Sequence, residues 1–170
     1  NVLIEAHRVL KPNAWLVLWY AINPWHSTKL ELLEETGFSP QKIPGMWHKP
    51  EGQLNCMSPN TSLARGYEPF IYARKGKPDI VTQGRSDVFS VKQVPVNLKY
   101  HPTERPVKLI EQILTTFAEP HSHVLVPFMG SGKTLLAAAN VEMTGVGFDL
   151  TETYKEGYIV KVTSQHYGQY

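Results

Sequence analysis

The residue order predicts an α/β domain with a largely parallel sheet, and three observations carry that expectation. Apolar strand-like runs alternate with segments of helical periodicity along the whole chain. Residues 123–149 read as strand, glycine-rich turn, helix and second strand ending in an acid, which is one βαβ unit. The 170 residues, 42% hydrophobic and 19% charged, can bury one core and carry too little charge for a disordered segment.

Taken in order, NVLIEAHRVL reads as a helix that opens without a starting methionine or a capping residue. Trp15–Tyr20 is an apolar strand, and Leu30–Phe38 reads as a helix. Residues 39–98 are less regular, punctuated by Pro40, Pro44, Pro50, Pro59, Pro69, Pro78 and Pro95, and contain one clear strand and turn, Gly66–Gly76. His101-Pro102-Thr103-Glu104-Arg105-Pro106 then opens a helix in which Val107, Ile110, Leu114 and Phe117 keep helical spacing. The second half closes with strand Val124–Val126, the short alanine-rich helix Leu135–Val141, and strand Gly145–Asp149.

The turn between them, Pro127-Phe128-Met129-Gly130-Ser131-Gly132, breaks directly out of an apolar run. Glycines there let backbone approach a bound molecule where a β-carbon would collide. Gly132-Lys133-Thr134 matches the end of a phosphate-binding P-loop, but the residue at the opening glycine position is Pro127, whose fixed φ cannot serve there. A nucleotide-type ligand laid across such a unit meets the glycine turn at one end and places its ribose hydroxyls near the acid at the other, which makes Asp149 the expected ribose partner.

HPTERPVKLIEQIL, followed by PFMGSGKT and then GVGFDLTETY, resembles the cofactor-binding end of the S-adenosylmethionine-dependent DNA amino-methyltransferases, adenine N-6 or cytosine N-4 specific, in the permuted beta class. The resemblance extends to His7–Pro12 with Trp15–Tyr20, to Leu30–Phe38, and to Gly66–Gly76, which carries a tyrosine–glutamate pair at Tyr67 and Glu68. It implies a Rossmann-like methyltransferase fold with helices on both faces of the sheet, and S-adenosylmethionine as cofactor. It also implies cofactor contacts from Thr103, Arg105, Pro127, Phe128, Gly130, Ser131, Gly132 and Asp149.

Three departures from the family pattern stand out. The catalytic Asp/Asn/Ser-Pro-Pro-Tyr/Trp/Phe tetrapeptide is absent; Asn23-Pro24-Trp25 follows an apolar strand but lacks the second proline. The expectation is that the motif lies before residue 1, that residues 1–170 form a single methyltransferase domain missing that portion, and that this portion alone is inactive. Val126 stands where the family usually has an aspartate that holds the cofactor's ammonium, and Lys133 stands where a small hydroxyl residue is commoner. Lys133 could meet the cofactor carboxylate, a DNA phosphate or solvent.

A net charge of +2 permits nucleic-acid binding without indicating it. Within the irregular region, Trp47, His48, Lys49, Arg65 and the basic turn Arg74, Lys75 and Lys77 suit phosphate contact and stacking of an unpaired base. The single cysteine, Cys56, excludes an internal disulfide framework and suits a reducing cytoplasm, and no apolar run approaches a membrane span. The resemblance thus implies site-specific methylation of an exocyclic amine of adenine or cytosine, of the bacterial or phage restriction–modification kind. The partners are double-stranded DNA with its target base flipped out and, as an allowed arrangement, a second copy of the chain, with no metal. The alternatives are a non-catalytic DNA-binding module of the same fold and, more remotely, a P-loop nucleotide hydrolase.

Overall fold

The computed structural model describes residues 2–50, 58–95, 97, 99, 103–152 and 158–159. Two compact units divide them: residues 1–80 with 84–90, and residues 81–83 with 91–170.

The first unit runs α1 (Val2–Val9), β1 (Ala14–Trp19), α2 (Ile22–Glu35), β2 (Ser39–Pro40), β3 (Gly45–His48), β4 (Tyr67–Lys75) and β5 (Val88–Ser90). Helix α2 stops where residue chemistry requires it. Gly37 adopts φ +92°, the Gly37 N–H donates to Glu34 O at 3.0 Å, and the Phe38 N–H donates to Leu33 O at 3.0 Å. That is a Schellman closure, with Phe38 and Leu33 buried in the same apolar cluster.

The nine-residue β4 organises the sheet. It pairs antiparallel with β1 (Leu16↔Ala73, Leu18↔Ile71), with β2 (Pro40↔Ala73) and with β3 (Met46↔Pro69), while β3 pairs parallel with β5. Alternation along β4 splits its side chains between two faces. Ile71 and Ala73 join Leu33 and Phe38, with Leu3, Leu10, Leu16, Leu18 and Leu30 packed against them. On the other face Phe70 contacts Trp19 and Phe89 at ring separations of 5.0 and 5.6 Å.

The expectation of a largely parallel sheet is corrected by these pairings: the sheet is mixed. An apolar, β-branched and aromatic run pairs in either direction, so its composition does not encode strand sense. The irregular region expected over residues 39–98 also holds β2, β3 and β5 besides the anticipated β4.

The second unit contains α3 (Val107–Phe117), β6 (His123–Val126), α4 (Lys133–Asn140) and β7 (Thr144–Gly147). Helix α3 begins later than the sequence suggests, because Pro106 is its extended N-cap, at φ −60° and ψ 139°. Its buried side chains are Val107, Leu109, Ile110, Ile113 and Thr116, a stripe turned from the expected one, with Leu114 and Phe117 only partly covered. Strands β6 and β7 are parallel (Val124↔Gly145, Val126↔Gly147), with α4 as the crossover between them. Asn140 Nδ2 donates to Glu111 Oε1 at 2.6 Å and so ties α4 to α3.

Candidate functional site

The ladder between β6 and β7 continues past both strand ends and shapes the turn that follows. The Phe148 N–H donates to Val126 O at 3.0 Å and the Met129 N–H to Phe148 O at 2.8 Å. The Gly132 N–H then closes back on Met129 O at 3.0 Å, and the Leu135 and Leu136 N–H groups donate to Gly132 O as α4 begins. Gly130 and Gly132 adopt φ +50° and +74°, conformations that side-chain-bearing residues rarely take.

Close approach adds a second constraint. A β-carbon at Gly132 would stand 2.3 Å from the Tyr158 ring, and one at Gly147 would stand 2.9 Å from Met129. The turn therefore lies flat against β7 on one side and under an aromatic ring on the other.

Asp149 joins this turn directly. Its Oδ2 accepts the Gly130 N–H at 2.8 Å and its Oδ1 accepts the Thr151 N–H at 3.0 Å. Phe128 and Phe148, 69% and 60% exposed, flank the turn in sequence. Pro127 is exposed, and Ser131 is buried inside the turn.

The segment before α3 also reaches the turn. Glu104, its carboxylate with no exposed area, lies with Oε1 3.5 Å from Nζ of Lys133, the first residue of α4. Thr103, exposed, and Arg105, partly buried, are the neighbours of Glu104 in the chain. The expected cofactor residues thus fall in two segments joined through an ion pair. Glu104 and Tyr158 were missed as site residues: the acid reads as an ordinary helix-start residue, and the tyrosine lies beyond the motif.

The remaining candidates are placed differently. Asn23, Pro24 and Trp25 are the opening residues of α2 rather than a loop, and their side chains lie outside the described residues. Lys75 Nζ donates to the carbonyls of His7 and Leu10 at 2.5 and 2.6 Å, closing the end of α1. Arg74 is partly buried, whereas Lys77 is exposed and its backbone N–H is held by Asn13 Oδ1 at 2.9 Å. Trp47 is 1% exposed and belongs to the core, which corrects its reading as a base-stacking residue. Lys49 lies over the Trp47 ring at 4.7 Å and pairs with Glu68 at 2.8 Å. His48 and Arg65 are exposed, with His48 Nδ1 3.0 Å from Ser90 Oγ. Cys56, His101 and Pro102 lie outside the described residues. No helix among the described residues is long and apolar enough to cross a membrane, and no cluster of three metal-ligating side chains occurs among them.

Comparison with known proteins agrees with this geometry. A family model described as DNA methylase (N6_N4_Mtase) matches residues 1–161. The chain is 31% identical over 157 residues to YubD of Escherichia coli (strain K12), covering 88% of this chain and 62% of that protein. It is 32% identical over an alignment of 195 residues to the type II methyltransferase M.BglII of Bacillus subtilis, covering 91% of this chain and 53% of that protein. The chain thus spans roughly three-fifths or less of the length of these relatives. The crystal structure of an M1.HpyAVI–SAM complex superposes with a TM-score of 0.81 at 23% identity, over 94% of this chain and 79% of that one. That likeness shows an α/β methyltransferase fold.

Proposed function

The chain belongs to the DNA methylase family, and on that premise we propose that the full-length protein transfers a methyl group from S-adenosylmethionine to an exocyclic amine of DNA, adenine in preference to cytosine. The observation that carries the reading is the Asp149 carboxylate held at 2.8 Å from the Gly130 N–H, which sets an acid beside a glycine turn in one βαβ unit. The family description, DNA methylase, supports the substrate class, and the relative's name, type II methyltransferase, supports the reaction class.

The residues present fit an adenosyl amino acid. Gly130 and Gly132 leave the turn without β-carbons, the Asp149 carboxylate is an acceptor of the kind ribose hydroxyls need, and Phe128 and Phe148 offer exposed apolar surface. When bound, the cofactor supplies a sulfonium-activated methyl group. This chain's residues would hold and orient it: Asp149 would meet the ribose at the glycine turn, and Thr103 and Arg105 would contribute from the segment before α3.

The acceptor amine is a weak nucleophile because its lone pair is shared with the ring, so the base must leave the duplex and be positioned by hydrogen-bond acceptors. The family's tetrapeptide supplies those acceptors, and residues 1–170 do not contain it. We further propose that both units belong to one methyltransferase domain and that DNA contact includes Lys77 and Arg74. Incubating the full-length protein with labelled S-adenosylmethionine and duplex DNA, then digesting to nucleosides, tests the reading. Label on adenine N6 is expected; label in no base, or on a cytosine carbon, would sink it.

A further inference from the structure

We propose that the loop joining β3 to β4 is a docking element for duplex DNA, with Leu63 entering the base stack as an apolar wedge and Arg65 meeting the phosphate backbone. The inference rests on reading the chain as part of a DNA methyltransferase, and it names a contact separate from Arg74 and Lys77. Leu63 is 94% exposed. Leucines exposed singly are common on protein surfaces, and this one is set apart by how it is held and by what surrounds it. The Lys49 N–H donates to Gly66 O at 2.8 Å, which carries the β3–β4 ladder one step past His48↔Tyr67 and closes the base of the loop. Within the loop, the Thr61 and Ser62 N–H groups donate to Ser58 O at 3.1 and 2.9 Å. Leu63 therefore stands between a hydrogen-bonded turn and a closed ladder, presented before any partner arrives, which lowers the ordering cost of binding.

The surroundings select the partner. Asn60, Arg65 and His48 are exposed, and Tyr67, opposite His48 in the ladder, is 46% exposed. Residues 58–67 contain no acid, and the next one along the chain, Glu68, is paired with Lys49 at 2.8 Å. The loop thus offers a polyanion a cation and small polar side chains without a repelling carboxylate. A protein partner would call for a broad apolar patch, whereas here one apolar side chain stands among polar neighbours. That arrangement fits a wedge: a leucine inserted at a base step unstacks it, while the polar residues beside it meet backbone and base edges. Extruding a target base costs unstacking, and a side chain entering the stack occupies the space that the base leaves.

Binding of sheared, unmethylated genomic DNA at several salt concentrations, and methyl transfer to the same DNA, test the assignment in the full-length protein, using wild type, Leu63→Ala and Arg65→Gln. Leu63→Ala should lower DNA affinity by about tenfold, through apolar area no longer covered, and leave the slope of log affinity against log salt unchanged. Arg65→Gln should reduce that slope by about one. Permanganate oxidation of unstacked thymines in the bound DNA should fall with Leu63→Ala. Both side chains are exposed, so both variants should melt like wild type. Wild-type DNA affinity and permanganate reactivity in Leu63→Ala overturn the proposal, and so does an unchanged salt slope in Arg65→Gln. A Leu63→Ala protein that keeps its DNA affinity but loses self-association in sedimentation would assign the loop to an interface between copies, which also overturns it. If wild type methylates DNA while both variants match it, this proposal alone fails; if wild type neither binds nor methylates DNA, the DNA reading fails and the proposal with it.

Discussion

The Asp149 carboxylate accepts the backbone N–H of Gly130 at 2.8 Å across 19 residues of sequence, so the acid after β7 and the turn after β6 form one rigid piece. The acid is therefore both part of the turn's frame and the expected ribose partner. Asp149→Ala removes both roles. Its loss should weaken S-adenosylhomocysteine binding by about 1.5–3 kcal/mol, roughly ten- to a hundredfold. Asp149→Asn, which keeps one acceptor oxygen for Gly130, should lose less. Titration calorimetry of both variants checks this, and equal losses would mean the charge toward the ligand is the whole effect.

Gly132→Ala should destabilise the protein. The φ of +74° alone disfavours a β-carbon by about 1–2 kcal/mol. The Tyr158 ring, 2.3 Å from where that carbon would stand, adds a collision. Urea unfolding of Gly132→Ala and Gly132→Ala/Tyr158→Ala separates the two contributions. The double variant should fall short of additivity because the collision is gone.

Lys75 and Lys77 should behave differently although both lie in one basic turn. Lys75→Met removes two charged donors from the carbonyls of His7 and Leu10, and should cost about 1.5–3 kcal/mol of stability together with helix α1. Lys77→Ala should leave stability unchanged, weaken DNA binding, and reduce the slope of log affinity against log salt by about one. Thermal melts and salt-dependent DNA titrations distinguish the two residues; an unchanged slope would remove Lys77 from the DNA surface.

Tyr72 should resist ionisation. Burial holds its phenol above the ordinary tyrosine range, with the Asp87 charge adding to the effect, and burial raises Tyr20 in the same way. The folded state keeps these protons longer than the unfolded chain, whose tyrosines ionise near pH 10. Stability is therefore intact below about pH 10 and declines as pH rises from there through the folded value. Absorbance of phenolate against pH should show delayed ionisation in buffer but not in guanidinium, and the delay should shrink in Tyr72→Phe and Tyr20→Phe.

Val126→Asp is the fifth test. If the site lacks a partner for the methionine ammonium, restoring an acid at the end of β6 should tighten cofactor binding by about tenfold. No change would mean that another group already holds it.

The parts of this fold legible in the sequence were those punctuated by glycine and proline. The Pro127–Gly132 stretch marked the turn between β6 and α4, because proline fixes φ and glycine admits the positive φ that the turn takes. Strand sense was not legible, since β1 and β4 carry the same kinds of side chain whichever way they pair. The buried face of α3 was misjudged because Leu109 and Ile113 share its apolar composition with Leu114 and Phe117, and only packing distinguishes them. Glu104 was unreadable as a site residue because its partner is 29 positions away, and nothing local to an acid near a helix start signals burial.

β4 is bonded to three other strands in registers as specific as Leu18↔Ile71 and Met46↔Pro69. A single inserted or deleted residue between Tyr67 and Lys75 would therefore reverse which side chains face each layer, displacing Ile71 and Ala73 from one and Phe70 from the other at a stroke. The same change in the stretch from Ser58 to Arg65, where every residue but Ala64 is exposed, would shift only a connection. In a scan of one-residue deletions across this half of the chain, the boundary between tolerance and collapse should fall at Tyr67, sharper than any boundary drawn by substitutions.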